Sequence, residues 1–238
     1  MSYTSASYAQ MRTWHTMITW ETLQIGENKV HLTGEAGVIE AIIHIPEDFA
    51  LTDVKAFAVC CHPHPLYAGT MTNKVVHTLA KVMTKLGLPS VRFNFRGVGK
   101  SEGEHDGGIA ETRDLISICE YLKTQFPDAQ VWLSGFSFGS FVAANAAATV
   151  QADQLVTISP AVEHTEYGQI TMPDCPWLVV MGEEDEVVSP TAVYNWVARS
   201  QGRCELVRFP ETGHFYHGKL VKLTDFLLAH FADEVDNL

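Results

Sequence analysis

Hydrophobic residues in this chain fall into short continuous runs, separated by longer stretches in which they recur every three or four positions. Val38-Ile39-Glu40-Ala41-Ile42-Ile43-His44-Ile45 and Ala56-Phe57-Ala58-Val59-Cys60-Cys61 are the first two runs, and the second is continuous enough for a strand buried on both faces. A helix follows, because Val75, Val76, Leu79, Val82, Met83 and Leu86 share one face at helical spacing and Gly87 ends the pattern. The alternation continues with a strand from Ser90 to Phe95, a helix near Gly108 to Thr124, a strand from Gln130 to Ser134, a helix from Phe138 to Thr149 and a strand from Leu155 to Ser159. After a loop come a strand from Trp177 to Gly182, a helix from Pro190 to Arg199, a strand from Cys204 to Phe209 and a last helix near Leu220 to Phe231. Strands alternating with helices predict an α/β fold, a mostly parallel sheet with helices on both faces and right-handed crossovers.

One domain is expected over residues 21–238, since a single α/β unit of about 200 to 250 residues is routine. Residues 1–20 carry a single charged side chain, Arg12, yet include Tyr3, Tyr8, Trp14 and Trp20. They are expected to form an extension packed on the domain or on the second subunit of a homodimer. The chain is 46% hydrophobic, enough for a full core, but no apolar run approaches the ~18 to 20 residues of a membrane span. The N-terminus has neither the basic nor the apolar region of a signal peptide, so a soluble, cytoplasmic protein is expected.

Charge narrows the partners. Sixteen Lys and Arg against 28 Asp and Glu give a formal net charge of -12, which repels nucleic acid and anionic lipid. The five cysteines are odd in number and show no C-x-x-C spacing, so they read as small buried hydrophobes in a reducing compartment.

The chemistry centres on Gly135-Phe136-Ser137-Phe138-Gly139, a G-x-S-x-G sequence at a strand-to-helix junction. Such a turn holds a nucleophile on a strained backbone and packs strand and helix too closely for side chains at both neighbours. The competing reading makes Ser137 only a cap for the helix behind it. Residues that could complete the chemistry also follow strands, where ligands sit in parallel sheets. Asp185 lies in Gly182-Glu183-Glu184-Asp185-Glu186, and His214 in Glu211-Thr212-Gly213-His214, giving the order Ser, Asp, His. A serine hydroxyl attacks only when a neutral imidazole takes its proton, and a carboxylate must fix that imidazole's tautomer. Local spacing does not separate Asp185 from Glu183, Glu184 and Glu186, and His217, His230 and His164 compete with His214. His214 is preferred because Gly213 permits a tight loop immediately after a strand.

An oxyanion hole needs the amide of Phe138 and a second amide from the loop His62-Pro63-His64-Pro65-Leu66-Tyr67-Ala68-Gly69. Proline has no N–H, so His64 and Leu66 are the available donors. Taken with Met71-Thr72-Asn73-Lys74-Val75-Val76, Val91-Arg92-Phe93-Asn94-Phe95-Arg96-Gly97-Val98-Gly99-Lys100-Ser101-Glu102-Gly103 and Gly213-His214-Phe215-Tyr216-His217, these motifs make residues His62 to about Lys222 resemble the small, mostly bacterial α/β-hydrolases. The resemblance implies the α/β-hydrolase fold, the triad Ser137, Asp185 and His214, and His64 as the favoured oxyanion donor, with Leu66 as the alternative. It assigns no substrate.

Gly99-Lys100-Ser101 invites comparison with a phosphate-binding loop, but the glycine needed five residues earlier is Asn94. Arg92 and Arg96 then read as buried or pairing residues, and Gly97 and Gly99 as turn residues. His62-x-His64 and His214-x-x-His217 lack an acidic third ligand, and no metal or other cofactor is expected. Pro160 to Pro176 is too short for a helical cap domain, so an open site is expected. Tyr67, Phe136, Phe138, Phe215 and Tyr216 are placed to line it, favouring an apolar acyl or aryl group. The reading is a serine hydrolase acting on a small-molecule ester or thioester through an acyl-enzyme; a non-catalytic binding protein on the same fold, or a peptidase or amidase, is the alternative.

Overall fold

A computed structural model describes residues 18–238 of the chain. Eight strands form one sheet: β1 (Gly26–Gly34), β2 (Gly37–Ile45), β3 (Ala56–Cys61), β4 (Ser90–Phe93), β5 (Gln130–Phe136), β6 (Gln154–Ile158), β7 (Trp177–Gly182) and β8 (Glu205–Phe209). Their order is β1-β2-β4-β3-β5-β6-β7-β8; β1 and β2 run antiparallel to their neighbours, and all pairs from β4 to β8 are parallel. Among the described residues five α-helices cover the sheet: α1 (Lys74–Lys85), α2 (Ile109–Gln125), α3 (Phe138–Ala147), α4 (Pro190–Arg199) and α5 (Leu220–Asp236).

Why the central strands read as unbroken apolar runs is visible in β3, where successive side chains leave the sheet on opposite faces. Ala56, Ala58 and Cys60 join a core with α1 and α5, while Phe57, Val59 and Cys61 join a second core with α2, α3 and α4. Asn73 starts α1 by accepting the amides of Val75 and Val76 at 2.9 and 3.4 Å, and Gly87, at φ +84°, lets the chain leave it. Arg92 and Arg96 act within the fold: Arg92 is buried and ion-paired with Glu27, and Arg96 holds Asp114 through two bonds of 2.8 Å.

Several boundaries differ from the expectation. β1 has no counterpart in the hydrophobic pattern, because along it only Leu32 is buried while polar side chains occupy much of this sheet edge. β4 ends at Phe93, α3 at Ala147, and α5 runs on to Asp236. Between β6 and β7 the chain forms only a short 3-10 turn at Tyr167–Gln169, so no cap stands there. Residues 1–17 of the expected extension lie outside the described residues; Trp20 is buried, its ring 4.8 Å from that of Phe126. No helix among the described residues is long and apolar enough to cross a membrane.

Candidate active site

Parallel strands bring their carboxyl ends to one edge of the sheet, and the loops after β3, β5, β7 and β8 meet there. Ser137 follows β5 at φ 56° and ψ −118°, a conformation costly for a residue with a Cβ. Its amide donates to Ile158 O at 2.9 Å, which ties the turn to β6. A Cβ on Gly135 would strike the backbone of Gly139, and one on Gly139 would strike the carbonyls of Cys61 and His62. Both glycines are therefore required by backbone contact. Ser137 precedes α3 but its side chain makes no capping bond. The hydroxyl instead lies 3.1 Å from His214 Nε2, which disposes of the cap reading.

His214 Nδ1 lies 2.8 Å from Asp185 Oδ2, and all three residues are buried. A carboxylate only accepts, so His214 carries its proton on Nδ1 and presents a lone pair on Nε2 to the serine O–H. Asp185 Oδ1 accepts the amides of Val187 and Val188 at 2.9 and 2.8 Å. Burial raises the carboxyl's pKa, but the bond from His214 and those from the Val188 and Val187 amides outweigh it, and the group stays below its ordinary value. Glu183 and Glu184 are exposed beside it. Glu186 accepts the backbone amide of His214 at 3.1 Å and so holds the loop rather than the ring. His217 and His164 are exposed, and His230 sits on α5 with Glu205 3.9 Å away.

The loop after β3 is pinned by its own histidines. His62 is buried; its Nδ1–H donates to Pro63 O at 2.6 Å and its Nε2 accepts the Phe95 amide at 2.9 Å. Burial lowers its pKa to about 4, which keeps the ring neutral, and neither nitrogen is left for a metal. The carbonyl of Pro63 belongs to the same peptide unit as the His64 amide, so His62 fixes that peptide from behind. The Leu66 amide is already engaged, donating to His64 Nδ1 at 3.2 Å. Among the described residues no protein acceptor takes the amides of His64 or Phe138. Of the two donors expected in the loop, His64 is the free one.

A pocket of about 350 Å³ opens beside Ser137, with His64, Tyr67, Phe138, His164 and Val187 in its walls. Phe136 and Tyr216 do not line it: both are fully buried, and Phe136 packs under His214 with ring centres 4.8 Å apart. Phe215 is exposed against the His214 ring at 5.0 Å and is likewise outside the pocket's walls, so of the five aromatics expected there only Tyr67 and Phe138 line it. Two further residues went unread in the sequence. His105 packs its ring 4.9 Å from that of His64, and its Nδ1 lies 2.8 Å from the fully buried carboxylate of Glu111. Glu111 stands three residues after Gly108 and accepts its amide at 2.8 Å, a helix-start spacing visible in the sequence. No group of three or more metal-ligating side chains occurs among the described residues.

The family described as serine aminopeptidase, S33, matches residues 68–173, a stretch that contains Ser137 but stops before Asp185 and His214. XC6422 from Xanthomonas campestris, described as a member of the α/β serine hydrolases without a lid, is 36% identical with a TM-score of 0.82, over 89% of this chain and 96% of that one. An α/β serine hydrolase homologue from Coxiella burnetii gives the same identity and TM-score over 88% and 99%. Protein RP471 of Rickettsia prowazekii is 36% identical over 147 residues, which are 60% of this chain; the match spans 62% of that relative's length, less than two thirds.

Proposed function

The chain belongs to the α/β serine hydrolases, and on that premise we propose that it cleaves small carboxylic esters or thioesters through an acyl-enzyme formed on Ser137. One observation carries the reading: Ser137 Oγ, His214 Nε2, His214 Nδ1 and Asp185 Oδ2 form one continuous line of hydrogen bonds. In the first half-reaction His214 takes the serine proton as Oγ bonds to the carbonyl carbon, and the amides of Phe138 and His64 receive the oxyanion. The imidazolium then returns the proton to the departing alcohol or thiol. Water attacks the acyl-enzyme by the same route, releasing the acid and restoring Ser137. Asp185 holds the ring tautomer throughout.

A volume of about 350 Å³ lies at the small end of ligand sites, about 300 to 1,000 Å³, and its walls of Tyr67, Phe138, Ala161, Val187 and Val188 suit a short apolar acyl or aryl group. The matching family description favours a second reading, an aminopeptidase. Holding the ammonium of a peptide N-terminus calls for a carboxylate in the pocket, and among the described residues no Asp or Glu lines this one. The ester reading is preferred on that ground. A fluorophosphonate probe is expected to label Ser137 in the wild type and nothing in Ser137→Ala, and the same variant should lose nearly all p-nitrophenyl ester hydrolysis with an unchanged circular dichroism spectrum. Equal labelling of the two proteins ends the assignment.

A further inference from the structure

The second donor of the oxyanion hole sits on a turn whose shape depends on a titratable ring. His64 lies between Pro63 and Pro65, and the short helical turn Pro65–Tyr67 begins directly after it. His64 O accepts the amides of Tyr67 and Gly69, both at 3.1 Å, while the imidazole Nδ1 accepts the Leu66 amide at 3.2 Å. The ring is thus the cap of the turn, in the role usually filled by a serine or aspartate oxygen. Accepting at Nδ1 requires the neutral tautomer with its hydrogen on Nε2. An added proton goes to Nδ1, sets one N–H against another, and removes the cap.

We propose that the His64 imidazole is a positioning residue for the oxyanion hole, holding the far side of the turn only while neutral, so that a single proton on it loosens one of the two anchors of the amide its own backbone supplies, the other being His62 behind the Pro63–His64 peptide. This rests on the serine-hydrolase reading above. The groups facing the ring are arranged to keep that proton off. Phe138 from α3 covers it at 4.7 Å between ring centres, Tyr67 of the turn at 5.0 Å, and His105 from the loop before α2 at 4.9 Å. His164 stands in the same pocket wall, and the Ser137, His214 and Asp185 line lies beyond it. Burial lowers the His64 pKa and His105 lowers it further, while Glu111, behind His105, opposes them. Glu111 is spent on the amides of Asp106 and Gly108 and on His105, three donors that hold it as a carboxylate despite its burial.

The test compares kcat/KM for a p-nitrophenyl ester from about pH 8 to about pH 5 in the wild type, His64→Asn and His64→Ala. Asparagine offers a carbonyl oxygen to the amide two residues on and does not titrate. The wild type is expected to lose activity with two protons at the acid end, one for the general base and one for His64, whereas His64→Asn loses it with one. His64→Ala should have kcat lowered roughly tenfold at about pH 8, the loss of one cap, with the gap to the wild type closing as His64 takes up its proton, and His64→Asn should recover most of that deficit. Superimposable profiles for wild type and His64→Asn, or equal kcat for His64→Ala and wild type at pH 8, would overturn the proposal. Ser137→Ala, run alongside, separates the two levels: full hydrolysis by that variant sinks the serine-hydrolase reading itself, whereas an inactive Ser137→Ala with superimposable profiles sinks only the role of His64.

Discussion

Replacing Asp185 by asparagine changes one atom, and the surroundings decide which way the new amide faces. Oδ1 now accepts two backbone amides, from Val187 at 2.9 Å and Val188 at 2.8 Å, while Oδ2 meets the single N–H of His214 at 2.8 Å. Turning the NH2 toward the two amides would set donors against donors and leave both unpaired, at about 1 to 3 kcal/mol each. Turning it toward His214 sacrifices one bond. The carboxamide oxygen therefore stays on Val187 and Val188, and the NH2 donates to His214 Nδ1. That ring nitrogen must become the acceptor, which moves the imidazole hydrogen to Nε2, where the serine proton has to go. The base is then in the wrong tautomer, a defect worth about 10³- to 10⁴-fold in kcat, or about 4 to 5 kcal/mol of transition-state stabilisation. Steady-state hydrolysis of a p-nitrophenyl ester measures it, with circular dichroism as the control for folding. A loss of less than about tenfold, or a loss equalled by Glu184→Gln, would refute both the orientation argument and the choice of acid.

Two effects on stability accompany it. Ser137 holds a positive φ that costs about 1 to 3 kcal/mol, and glycine relieves this at an entropic cost of about 0.5 to 1 kcal/mol, so Ser137→Gly should be roughly 1 kcal/mol more stable than Ser137→Ala by urea denaturation; a less stable glycine variant would mean the turn is unstrained. His62 titrates at about 4 in the fold against an ordinary 6.5. Its folded value is depressed, so its contribution is fully present above about pH 6.5 and is lost as the pH falls toward 4. The fall between about pH 7 and about pH 4.5 comes to about 2 kcal/mol and should be missing from His62→Gln, and an equal acid loss in both proteins would show that the ring is not held neutral.

The central strands were legible because burial on both faces leaves no place for a polar side chain, and β3 is apolar at every position. β1 was not, because an edge strand half in solvent carries no such pattern and is held instead by its hairpin partner β2 and by the long-range Arg92 to Glu27 ion pair from β4. The turn at Ser137 was legible for a steric reason, since its two glycines answer to backbone atoms a few residues away or on the adjoining strand end. Asp185 was not separable locally from Glu183, Glu184 and Glu186, because what singles it out is contact with an imidazole 29 residues further on. Phe136 could have been placed by parity: Trp132 and Phe136 lie an even number of strand residues apart, so they face the same side, toward α1 and α5 and away from the pocket. The choice between His64 and Leu66 was open to a similar argument. Proline favours the first position of a helical turn, which makes His64 the cap ahead of Pro65 and Leu66 the second residue of the turn, whose amide a capping side chain takes. An amide consumed by its own cap has no donor left for an oxyanion, so of the two only His64 keeps the free amide that the proposed oxyanion hole needs.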